Sequence, residues 1–206
     1  MPLSAPATVS PLLLAALVGP LVAQPVQTSA DDYTRYELLA PATAKFRIIY
    51  DVTATTTGAR VFFNPIRKGS EASDESVLDP MTGKGLRFII VDGATARTGG
   101  LPSADLETKY LRIELPRPVP AGGEVRIRID KTYHDPKSYL AAADTLAFIR
   151  SLSIKKNAVV LPRGYELIGV NYPSQVLTEP DGRVRISFIN PGSDPVSLVV
   201  RGRRLP

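Results

Sequence analysis

KYLRIELPRPVPAGGEVRIRIDKTY, residues Lys109 to Tyr133, decides the fold. Leu111, Ile113 and Leu115 alternate with Tyr110, Arg112 and Glu114; after a Pro/Gly connection, Val125, Ile127 and Ile129 alternate with Glu124, Arg126, Arg128 and Asp130. Successive side chains of a strand point to opposite faces, so each run has one apolar and one charged face. Two strands joined by a loop, buried on one side and wet on the other, satisfy both patterns.

The same period recurs outward from this stretch. Phe46, Ile48, Tyr50 and Val52 alternate with more polar positions, as do Val184, Ile186 and Phe188, and then Val196, Leu198 and Val200. Tyr33 to Ala40, Ala59 to Phe63, Ala158 to Leu161, Tyr165 to Val170 and Gln175 to Thr178 read as further strands. Leu86 to Val91, apolar on both faces apart from Arg87, is expected at the centre of a sheet, covered on both sides. Arg67 to Gly85 reads as a long acidic loop with a short strand at Val77-Leu78, and without the alternating carboxylates of a calcium loop. Tyr139 to Leu152 holds good helix formers and suits either one short helix or an extended edge segment. The class is all-β: an antiparallel β-sandwich of about ten short strands with at most one short helix, near 139–152.

The composition fits that class. Of 206 residues, 44% are apolar and 22% charged, enough for one domain with a continuous core, and 19 Pro and 15 Gly spread along the chain mark frequent turns. The net charge of +5 comes from cations interspersed with acids, not from a basic run, so no nucleic-acid partner is expected. With no cysteine, disulfides, cysteine nucleophiles, thiolate metal sites and lipid anchoring through cysteine are excluded.

Met1 to Ala30 carries no charged side chain, and Pro11 to Ala23 is an apolar block too short to span a bilayer. It reads as a secretory leader cut after Ala23 or Ala30, leaving 31–206 as one domain with no membrane span, exported to the periplasm or the medium of a bacterium.

Three stretches together, YDVTATTTGARVFFNP from Tyr50, LRFIIVDG from Leu86 and KYLRIELPRPVPAGGEVRIRIDKTYHD from Lys109, resemble the N-terminal β-domain of the aminopeptidase N family of zinc metallopeptidases. Leu115, Pro118, Gly122 and Tyr133 sit at places comparable to that family's L-x-x-P-v-x-x-G connection and strand-ending Tyr. The block from Asn157 to Phe188 resembles the stretch that precedes the catalytic domain in bacterial relatives, so the likeness runs from Tyr36 to Phe188. The family's activity needs a His-Glu-x-x-His zinc motif. This chain has one histidine, His134, followed by Asp135. The resemblance therefore implies a stand-alone copy of the non-catalytic domain, which packs against or covers a partner.

No catalytic, metal or cofactor residue can be assigned. Weak surface-binding candidates are Arg112, Arg126, Arg128, Tyr133 and His134, with Arg183 and Arg185 adding to a basic strand face that Glu114 and Glu124 are placed to neutralise in part. The leading expectation is an exported, non-catalytic binding module for a protein or cell-envelope partner. The alternative is a hydrolase of unrecognised type using scattered carboxylates or Tyr133 and His134, although neighbours in a strand do not converge.

Overall fold

A computed structural model describes residues 26–206. The leader reading falls outside them, except for the candidate cut at Ala30. Fourteen strands and one helix follow in the order β1 (Ser29–Leu38), β2 (Lys45–Ala54), β3 (Val61–Pro65), β4 (Glu71–Leu78), β5 (Phe88–Val91), α1 (Gly93–Thr98), β6 (Tyr110–Glu114), β7 (Val125–His134), β8 (Tyr139–Ala142), β9 (Thr145–Leu152), β10 (Lys156–Val160), β11 (Tyr165–Val170), β12 (Gln175–Thr178), β13 (Val184–Ile189) and β14 (Val196–Arg204). A 3-10 turn, Pro41–Thr43, joins β1 to β2.

The strands form one large sheet, β12-β13-β10-β1-β2-β7-β4, and two small ones, β11-β14-β9-β8 and β3-β6-β5. Both small sheets lie on the same face of the large one. Tyr36, Phe46, Tyr133 and Ile186 of that face pack against Phe148, Leu198 and Val200 of one small sheet. Val52, Ile127 and Ile129 pack against Phe62, Leu111 and Ile113 of the other. β7 shows the cause: burial alternates without a break along its ten residues. Each Val, Ile or Tyr turned inward removes apolar surface from water, at about 1.5–3 kcal/mol per side chain.

β6 and β7 stand in different layers and face one another across the core, so the connection between them crosses from sheet to sheet. Leu115 and Val119 are buried along it, and Gly122 takes the left-handed φ of +65° that its turn needs.

The structure corrects several expectations. The sandwich is not purely antiparallel: β1 and β10 pair in parallel, Tyr36 opposite Val159. Of the two forms open to Tyr139 to Leu152, the structure takes the extended one: a β-hairpin with β8 at the sheet edge, because Leu146, Phe148, Arg150 and Leu152 all turn inward at period two and tertiary packing overrides helix propensity. The helix lies instead at Gly93–Thr98, where Asp92 Oδ1 accepts from Thr95 N at 2.7 Å and caps the first turn. The short strand expected at Val77-Leu78 is the end of a longer one: eight residues of the supposed acidic loop form β4, an edge strand whose exposed polar residues read as loop and whose Val77 alone is buried. Leu86 to Val91 is not central: only Phe88–Val91 is strand, and it forms an edge.

Candidate functional site

The outer face of the large sheet holds the arginines that suggested a basic patch, and it neutralises them. Arg128 grips Asp51 with two bonds of 2.7 and 2.9 Å, Arg126 meets Asp31 at 2.7 Å, and Arg47 pairs with Asp130. Arg183 reaches Asp181 at 2.7 Å, and Arg185 reaches Glu179 at 3.2 Å. The acids come from neighbouring strands and turns rather than from Glu114 or Glu124; Glu114 lies 3.9 Å from Arg87. With alternating signs side by side, this face has no single-sign field.

Tyr133 and His134 do not come together. Tyr133 follows the inward parity of β7, is 2% exposed, and accepts a bond from Arg67 N at 3.0 Å through its hydroxyl, so it is a core residue and not a surface contact. His134 points to the outer face, 3.4 Å from Glu71 on β4. Arg112 differs from the other arginines. It sits on β6 opposite Ile89, and no carboxylate among the described residues lies within ion-pair distance of it.

Two features remain. The first is a cleft of about 280 Å³ where the small sheets part over the large one. Its floor is Tyr36, Ile48, Tyr50 and Lys131; Asn64, Pro65 and Arg67 wall one side, and Arg150 to Ile154 wall the other. Lys131 is 4% exposed, and its Nζ donates to Asn64 Oδ1 at 2.6 Å and to Pro65 O at 3.3 Å. Burial, reinforced by the Arg150 charge, lowers its pKa from 10.5 to about 7. Arg150 lies over the rings of Phe46, Tyr133 and Tyr36, 5.1 to 5.7 Å from their centroids, and donates to Asp135 Oδ2 at 3.1 Å. Burial lowers its pKa as well. The sequence reading missed both cations. The signal was present: Lys131 stands at the inward parity of Val125, Ile127 and Ile129, and Arg150 at that of Leu146 and Phe148.

The second feature is the free edge of β5. Among the described residues its only partner is β6, and Ile89 and Ile90 are 57% and 51% exposed. Adjacent strand residues face opposite ways, so β5 exposes one isoleucine on each face beside its free edge. Beside it runs a groove of about 290 Å³ lined by Arg87, Phe88, Ile89, Arg112 and Glu114.

Among the described residues no group of three or more His, Asp or Glu could hold a metal ion, and no helix is long and apolar enough to cross a membrane.

Comparison with known proteins finds no matching family model and no matching curated relative. Among solved structures, the chain is similar to an M1 zinc metallopeptidase from Deinococcus radiodurans, at 12% identity and a TM-score of 0.49, over 84% of this chain and 41% of that one. It is also similar to an aminopeptidase N family protein from Idiomarina loihiensis, at 7% identity and a TM-score of 0.49, over 82% of this chain and 29% of that one. The chain spans about two fifths or less of the length of these proteins.

Proposed function

We propose that the chain is an exported, non-catalytic β-sandwich module that binds a protein partner by taking an extended segment of it alongside β5. The observation that carries this reading is the exposure of Ile89 and Ile90 together on a strand with one free edge. The sequence of β5 is that of a doubly covered strand, but its own chain covers only its two ends, Phe88 against the core behind β6 and Val91 beneath α1. A free apolar edge is a hazard that proteins normally blunt with charge, proline or a bulge. Here a partner strand would supply the missing backbone bonds, and its side chains would cover the isoleucines. Arg87 and Arg112 beside the groove favour a segment that mixes acidic and apolar residues.

Export rests on the apolar block ending at Ala23, and cleavage there would leave every contact of Gln27 and Thr28 in place. The test is a photo-cross-linking side chain at position 89, compared with one at Thr132 on the outer face, in the exported fraction. An adduct formed only from position 89 and lost with Ile90→Lys supports the module; equal labelling from both positions refutes it.

A further inference from the structure

The cleft between the small sheets is separate from β5 and carries a charge imbalance that folding does not explain. Its wall holds Lys131, Arg150 and Arg67 but no aspartate or glutamate. Arg150 is answered from behind: Asp135, itself buried, accepts from Arg150 and from Ser138 and Ser70, while three aromatic rings flank the guanidinium. Arg67 sits at the exposed rim, donating to Ser151 O at 3.1 Å. Lys131 has no such answer. Two of its three N–H donors go to the neutral oxygens of Asn64 and Pro65, and no carboxylate among the described residues reaches it. A buried ammonium with no counter-charge is among the costliest groups a core can hold, whereas an apolar side chain of the same volume would cost nothing electrostatically.

We propose that this cleft is a binding site for a small carboxylate, whose oxygens meet Lys131 Nζ and the donors of Arg150 and Arg67 and whose apolar part lies against Ile48, Leu152 and Ile154. One unanswered buried charge calls for a monoanion, since Asp135 already matches Arg150. The volume of about 280 Å³ is small for a drug-sized ligand, and beyond the cations the walls mix aromatic and aliphatic side chains with Thr34, Asn64, Ser151 and Ser153. Phosphate, with two charges and no apolar part, fits neither property. The carboxylate could belong to a free organic acid or to the C-terminus of a peptide; the chemistry at Lys131 is the same for both.

The test is calorimetric titration of the full chain with 3-phenylpropanoate and with its primary amide, and with an N-acetyl tripeptide ending in Phe as free acid and as amide. Binding of either acid, with its amide weaker by about tenfold or more, is expected, because a charge-assisted hydrogen bond is at stake. The acid that binds names the source. Lys131→Gln, which keeps a donor for Asn64 while removing the charge, should weaken that acid by about tenfold or more and leave the amide unchanged. In the wild-type chain the Lys131 Cε resonance should move on adding the acid and stay still with the amide, a readout that does not depend on any variant folding. If neither acid outbinds its amide and the Lys131 resonance does not move, the proposal is wrong.

Discussion

Lys131 Nζ donates to Asn64 Oδ1 across 2.6 Å, joining the floor of the large sheet to the end of β3 inside the protein. That ammonium has a depressed pKa, about 7 against 10.5 in the unfolded chain. Arg150 on β9 pushes it down with burial, Glu75 on β4 opposes them, and Tyr133 and Tyr36 face it without charge. Between these two values the unfolded chain binds a proton that the folded chain has released, so stability rises with pH; below about 7 both states are protonated and the burial penalty is felt in full. Urea unfolding should show a gain of up to about 1.4 kcal/mol per pH unit from this group above neutrality. Lys131→Gln should flatten that rise, and an identical pH profile in the variant would count against the assignment.

Asp135 presents the opposite case. Burial alone would raise its pKa, but bonds from Ser138 and Ser70 and the Arg150 charge hold it below the ordinary carboxylate value. Its contribution is therefore present above pH 4 or so and lost as pH falls through the lowered folded value. Asp135→Ala leaves Arg150 charged among three aromatic rings, and the expected cost is about 3–5 kcal/mol. Adding Arg150→Leu should recover much of that loss, since the stranded charge goes with it. Chemical denaturation of the single and double variants measures both.

Alternation was legible wherever a strand had one wet face: the apolar registers of β2, β7, β13 and β14 are read directly from Phe46, Ile127, Ile186 and Leu198, all of them buried. It failed where the signal is shared. The apolar run of β5 looks the same whether its own chain or another covers it, and period alone cannot separate the two. Over β8 and β9 helix and extended segment stayed equally open, because the alanines and leucines there favour helix until Phe148 and Leu152 find a core to enter. Lys131 and Arg150 were overlooked because an Arg- and Lys-bearing strand is ordinarily divided into apolar and charged faces. Only counting in twos shows that these two cations fall on the apolar side. The ion-paired acids Asp31 and Asp51 lie far from their arginines in the chain, so their pairing depends on strand order, which sequence period does not contain.

Two isoleucines separate core from edge. Ile127 is fully buried between the layers, so Ile127→Asp places an unpaired carboxylate there and should cost more than about 4 kcal/mol, leaving the chain unfolded. Ile89→Asp, on the free strand, should change stability by no more than about 0.5 kcal/mol. Melting temperatures of the two variants decide it. A cooperative wild-type melt for Ile127→Asp would contradict the layer assignment.

Gly93 opens α1 against the segment that returns to β6. A Cβ there would stand 2.0 Å from Asp105 O and 2.6 Å from Leu106 Cα, both backbone atoms with no rotamer to change. Gly93→Ala must therefore push the helix off the small sheet, loosening Phe63, Val91, Ala96 and Tyr110. The expected loss is about 1–3 kcal/mol, the usual range for an overpacked site. Faster amide exchange should appear at Tyr110 and Leu111, with none at β14, which lies in the other small sheet.

The strands also discriminate between the two candidate cleavage points. Gln27 clasps Phe63 from both sides of its peptide, donating to the carbonyl at 3.0 Å and accepting from the N–H at 2.7 Å. Thr28 N donates to Thr56 Oγ1 at 2.7 Å, and Ser29 and Ala30 stand opposite Ala54 and Thr53. A cut after Ala30 removes all of these, exposing the end of β2 and one flank of β3, while a cut after Ala23 removes none. Each lost hydrogen bond is worth about 0.5–1.5 kcal/mol, so a chain beginning at Asp31 should be several kcal/mol less stable than one beginning at Gln24. N-terminal sequencing of exported protein should return Gln24. A mature chain that starts at Asp31 and melts as high as the longer form would show that these contacts do not support the sandwich.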